Sequence, residues 1–191
     1  MKHFLSLLLT AISINLFGQS EELPYREIPD YPEKYTPETV ASRMIDGLGF
    51  RYYWVSEGLR PEDLTFKPSE DARTTRETLE HIHGLSQFIL NCVRGVPHKP
   101  VDVTAWTFEE LRRGTLENIG ESSQKLKSGK ITLEELIIQF DDNNYEFPFW
   151  NQLNGPIADA IWHCGQVVSF RRSSGNPYNS NASVFTGTVR E

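Results

Sequence analysis

Four helix-start signals spaced along the chain constrain its fold more than any other feature. Thr36-Pro37 puts a hydroxyl cap before a first-turn proline. Thr74-Thr75-Arg76-Glu77 and Thr107-Phe108-Glu109-Glu110 are capping boxes, where threonine and glutamate each accept a backbone N–H. Asn154-Gly155-Pro156 opens the fourth segment. Apolar residues then keep helical spacing, as in Val40, Met44, Leu48 and Val55, until a stop arrives. The stops are Arg60-Pro61, Gly95 with Pro97, Ser128-Gly129-Lys130, and Gly175 with Pro177. Four amphipathic helices of about 20 residues each predict an all-α four-helix bundle. The connections between helices one and two (60–73) and between three and four are long. Within the latter, Thr132 to Phe140 fits either a short helix or a strand, and residues 143–154 are expected to be irregular.

The flanks read differently. Residues 1–19, MKHFLSLLLTAISINLFGQ, join a basic start to an apolar run and a small, polar close, the pattern of a cleaved secretory signal peptide. The apolar run of about 14 residues is short of the roughly 20 that span a bilayer, so no stable membrane anchor is expected after cleavage. Residues 20–35 hold prolines and charges without a period, which predicts an extended arm; residues 178–191 predict a polar tail. The bundle proper is residues 36–177. The expected location is periplasmic or secreted. The chain carries 19 Lys+Arg against 26 Asp+Glu, a net charge of −7, which argues against nucleic-acid binding. Two cysteines cannot build a disulfide framework or a thiolate-rich metal site.

The fourth helix carries the chemistry. Asp159 and His163 are i and i+4 and can reach one point in space. Ala160, Gln166, Val167 and Phe170 fall within about 60° of His163 on the helical wheel, and Ile157, Ile161, Trp162 and Val168 make the rest apolar as well. A helix apolar nearly all round is buried, and polar groups on it need partners. Either a metal ion or an Asp–His hydrogen bond supplies one. On the second helix, the polar residues Arg76, Glu80, Gln87, Asn91 and Arg94 share an arc. His81 lies far from its centre and points inward; His83 sits near its edge and is expected to be solvated. Glu77 is either the cap or a support for the site. Trp106, Trp150 and Trp162 either line a pocket mouth or fill the core.

At these residues the chain resembles the DinB/YfiT-like superfamily of four-helix bundles. The resemblance rests on Leu79-Glu80-His81-Ile82 in helix two, on Asp159-x-x-x-His163-x-Gly165-Gln166 with Arg171-Arg172 and Gly175 in helix four, and on the connector Leu59 to Pro68. It spans about residues 36–177. Such proteins hold a divalent metal with one histidine from helix two and a His-x-x-x-His pair from helix four; they include thiol-dependent transferases, isomerases and proteins called metal-dependent hydrolases. Carried over, His81 and His163 match two ligands, and Asp159 stands where the third is histidine. Aspartate is itself a competent ligand for zinc, iron or nickel. The resemblance therefore implies a site of His81, Asp159 and His163, supported by Gln166 and Glu77, with a bound ion lowering the pKa of a coordinated water or polarising a carbonyl.

Two functional classes follow. One is a metal-dependent hydrolase or transferase acting on a small molecule; the other is a non-catalytic ligand-binding or structural bundle without the metal. Export disfavours a low-molecular-weight-thiol transferase, because such thiols are mainly cytoplasmic. Monomer and homodimer are both open. A shared ion also sets the helix register: Cys164 lies about 1.5 Å along the axis from His163, and Cys92 about 16 Å from His81. That leaves a gap of roughly 15 Å, far beyond the 7 Å or so a disulfide allows, so both cysteines are expected free.

Overall fold

A computed structural model describes residues 22–141 and 145–190. The leader expected over residues 1–19 lies outside them. The chain is mostly helical. The long helices are α1 (Pro37–Ser56), α3 (Thr75–Arg94), α4 (Phe108–Lys127) and α6 (Ala158–Ser173), with short α2 (Pro61–Thr65) and α5 (Trp150–Gln152) between them. Among the described residues, no helix is long and apolar enough to cross a membrane.

Capping does what the sequence requires of it. Thr36, Thr74 and Thr107 each accept the N–H three residues on, and Thr39, Glu77 and Glu110 each return the bond to the cap's own N–H. Gly95, at φ 66°, closes α3 in the left-handed conformation that glycine adopts without a Cβ penalty. Above these starts the apolar stripes meet. α1 packs against α4 and α6, and α3 packs against the same two helices. Leu48, Leu79, Ile82, Leu116, Ile119 and Val167 are fully or almost fully buried at these contacts. At about 25 cal/mol per Å² of apolar surface, each such side chain contributes roughly 1.5–3 kcal/mol before entropy is counted.

The connections hold more structure than expected. Segment 60–73 contains α2, started by Pro61 and anchored by Asp63, whose carboxylate accepts the Arg60 N–H at 2.9 Å. Residues 132–140 are both helix and strand: a 3₁₀ turn at Leu133–Glu135, then β1 (Ile137–Gln139). β1 pairs antiparallel with β2 (Glu146–Pro148), Ile138 facing Phe147. Pro148 is tolerated because a two-stranded ribbon has a free edge on each side. The irregular segment expected there is thus part ribbon, part helix.

Helix four also starts differently. The chain kinks over Leu153–Ile157 before α6, where Gly155 leaves helical backbone at φ −98°, ψ −110°. Pro156, next in the chain, has no backbone N–H to donate, so the helix is broken there and restarts as α6. Asp159 and His163 follow immediately.

The arm is packed rather than free. Tyr25 is 6% exposed, and its hydroxyl donates to Asp46 Oδ1 at 3.0 Å. A Cβ on Gly49 would lie 2.5 Å from the Tyr25 ring, so the close approach requires glycine there. Trp54 Nε1 donates to the Arg26 carbonyl. The tail forms a hairpin of β3 (Ala182–Ser183) and β4 (Thr188–Val189). Ile28 N–H donates to the Gly187 carbonyl at 2.8 Å, tying arm to tail.

Candidate metal centre

α3 and α6 bring three of the predicted residues together. His81 Nε2 lies 3.2 Å from Asp159 Oδ2, and His163 Nε2 lies 3.4 Å from Asp159 Oδ1. The two imidazole rings meet edge to face, 4.5 Å between centroids and 88° between planes. One donor atom from each of the three residues falls within 4.8 Å of the others, so the group could hold a metal ion. Two ligands each 2.0–2.1 Å from a tetrahedral ion sit about 3.3 Å apart. Both contacts of Asp159 already have that spacing. The side chains of His81 and Asp159 are 32% and 38% exposed and that of His163 12%, so the group opens to solvent on one side.

Gln166 sets the chemistry of His163. Its amide oxygen lies 2.8 Å from His163 Nδ1. An amide oxygen only accepts, so Nδ1 carries the proton. In the neutral ring the Nε2 lone pair then faces a carboxylate oxygen at 3.4 Å. A cation between two such acceptors, either a proton on the ring or a metal ion, would relieve their repulsion. The donor set therefore fits a divalent cation. Burial lowers the pKa of His81, with the Asp159 hydrogen bond pulling the other way, which favours the neutral imidazole a metal requires.

Other predicted residues go elsewhere. Glu77 Oε2 accepts the N–H and hydroxyl of Thr74 at 2.7 and 2.9 Å, so its carboxylate serves the cap, and these bonds hold its pKa below the usual range. His83 is 3% exposed, not solvated. Its Nδ1 lies 3.0 Å from Thr115 Oγ1, whose hydroxyl donates to the Leu111 carbonyl, so Nδ1 is the donor. Nε2 keeps a lone pair with no partner, and burial pushes the His83 pKa down to about 4. The ring meets Trp106 edge-on between α3 and α4, away from His163. Trp150 and Trp162 are exposed, the latter beside His163 in sequence. Cys92 and Cys164 are buried and free, and burial pushes their thiols up to about 11 and about 12.

The sequence did not single out the ground beside His81. A cleft of about 370 Å³ runs along α3 from His81 past Gly84 and Phe88, under the His98–Val101 loop, to Pro156. His98 packs against Phe88 with centroids 4.4 Å apart and ring planes tilted by 55°. The one signal was spacing: Phe88 follows His81 by seven residues, two helical turns along one face.

Compared with known proteins, the chain matches no family model and no curated protein.

Proposed function

We propose that this chain is an exported, DinB-like four-helix bundle that binds one divalent metal ion on His81, Asp159 and His163 and acts as a metal-dependent hydrolase or transferase on a small molecule. The observation that carries the proposal is the His163 Nε2–Asp159 Oδ1 pair, two acceptors 3.4 Å apart once Gln166 has taken the other ring nitrogen. The packing of α1 and α3 on both α4 and α6 supports the bundle. Zinc, nickel and iron all suit two imidazoles and a carboxylate. Bound there with open positions, such an ion supplies Lewis acidity to a substrate oxygen. The protein's own part is orientation. Gln166 fixes the His163 tautomer, the packing of α6 on α3 brings Asp159 and His163 to His81, and the partial exposure of His81 leaves an approach for substrate.

One observation favours a metal-free reading: Asp159 already contacts both imidazoles, and a protonated His163 would complete the group as a structural triad. Zinc titration of untagged protein starting near Ser20, followed by calorimetry, separates the two. The proposal expects one site per chain, lost in His81→Ala and in His163→Ala and retained in His83→Ala. Wild-type protein that takes up no zinc, nickel or iron overturns it in favour of the structural triad.

A further inference from the structure

The cleft beside His81 is one of several in the structure, and its position gives it a role in the site proposed above. Both of its walls run into the metal group. His81 stands at one end of the α3 wall, and Pro156, on the opposite wall, lies one turn before Asp159. Gly84 forms part of the α3 wall. Glycine ranks next to proline among the least favourable residues for a helix interior. Neighbouring atoms do not require glycine here, since a Cβ on Gly84 would meet nothing within 4 Å. The missing side chain instead keeps the wall open between a metal ligand and Phe88. Across from it, His98 covers Phe88, and Pro100 and Val101 extend the apolar side. The charge balance is equally selective. Among the described residues no lysine or arginine lines the cleft, and the one carboxylate that does, Glu80, is bound to Arg76 at 2.6 Å.

We infer that this cleft is the substrate-binding site of the metal centre and takes a neutral molecule with a carbonyl-type oxygen donor at one end and a flat apolar group, the size of a benzene ring, at the other. The oxygen donor meets the ion at His81. The flat group lies over Gly84 against Phe88 and His98, where an aromatic edge or face contact adds to apolar burial. A charged body is disfavoured because the cleft offers it no counter-charge in exchange for its hydration. Gly84 and Phe88 then set specificity without touching the ion.

This inference rests on the metal reading, and the test separates them. The probes are acetohydroxamate and benzohydroxamate, which chelate zinc through the same head group and differ by a methyl against a phenyl. Untagged protein is first titrated with zinc, and each probe is then titrated into the loaded protein. The expectation is one zinc per chain and benzohydroxamate binding at least tenfold tighter than acetohydroxamate. Gly84→Phe fills the cleft and Phe88→Ala removes its wall, and each should cut that preference to below threefold while one zinc per chain reports an intact metal end. Two variants guard against one failing to fold. Zinc bound with no phenyl preference, or with a preference both variants retain, overturns the cleft and leaves the metal standing. Failure to bind zinc, nickel or iron overturns both.

Discussion

Asp63 gives the sharpest stability prediction, because its partners can be counted. Its side chain is 1% exposed. Oδ1 accepts from Arg60 Nη2 at 2.8 Å and from the Ser174 hydroxyl at 2.6 Å. Oδ2 accepts from the Arg60 backbone N–H and Nε, both at 2.9 Å, and from Asn176 Nδ2 at 2.6 Å. These bonds fasten the connector after α1 to the end of α6, and with it Phe66 against Phe170, 5.9 Å between centroids. In Asp63→Asn, one oxygen becomes a donor. The least costly orientation puts the new NH₂ at Oδ1. It loses the Arg60 Nη2 bond, about 1.5–3 kcal/mol for a charged pair, while Ser174 turns to the Arg171 carbonyl it already approaches at 3.2 Å. Arg60 is 43% exposed, so water screens part of that loss. The variant should be about 1–2.5 kcal/mol less stable at pH 7 by urea unfolding. The pH dependence has a definite sign. Hydrogen bonds from Arg60, then those from Ser174 and Asn176, outweigh burial and hold the folded Asp63 pKa well below the usual carboxylate range. A depressed folded pKa stabilises fully above the unfolded value near 3.9, and the contribution fades as pH falls toward the folded one. The gap between wild type and variant should therefore narrow below about pH 4. A gap under about 1 kcal/mol at pH 7, or one of constant size down to pH 2.5, would refute the reasoning.

Three shorter predictions test the surroundings of the site. Gln166→Leu should weaken zinc binding 10- to 100-fold by calorimetry, with folding stability within about 0.5 kcal/mol of wild type; unchanged affinity would show that Gln166 does not orient His163. His83→Ala should keep the zinc yet cost about 2 kcal/mol in urea unfolding, because it removes a buried ring and the Thr115 bond; a loss of zinc with no loss of stability would contradict the placement of His83. Thiol titration of denatured, unreduced protein should count two free thiols; a Cys92–Cys164 bridge is incompatible with the observed register.

Much of the helical framework was legible because its signals are local. Thr36, Thr74 and Thr107 act on residues three positions away, and so did the stripes between them. The arm was not legible. Tyr25 meets Asp46 and Gly49 across the chain, and nothing in its own neighbours announces that contact. The orientation of α3 was half legible. A wheel with one polar arc assumes one buried face, but α3 packs against both α4 and α6, which widens its buried arc. His81 turns toward α6 and stays 32% exposed, whereas His83 turns toward α4 and is buried where solvation was expected. The start of α6 was displaced for another reason: Asn154-Gly155-Pro156 resembles a cap, whereas the chain already turns helically before it and kinks at Gly155. Of the site, spacing gave the Asp159–His163 pair. Adding His81 required the resemblance, since no periodicity links residues 78 positions apart.

The central claim is that a metal ion sits between α3 and α6. The most direct measurement is anomalous diffraction at the zinc edge from crystals of the untagged protein grown with zinc. The account predicts a single strong peak about 2.0–2.2 Å from His81 Nε2, His163 Nε2 and an oxygen of Asp159, with Gln166 still bonded to His163 Nδ1. Crystals with no peak there, and with Asp159 hydrogen-bonded to both imidazoles, would contradict it.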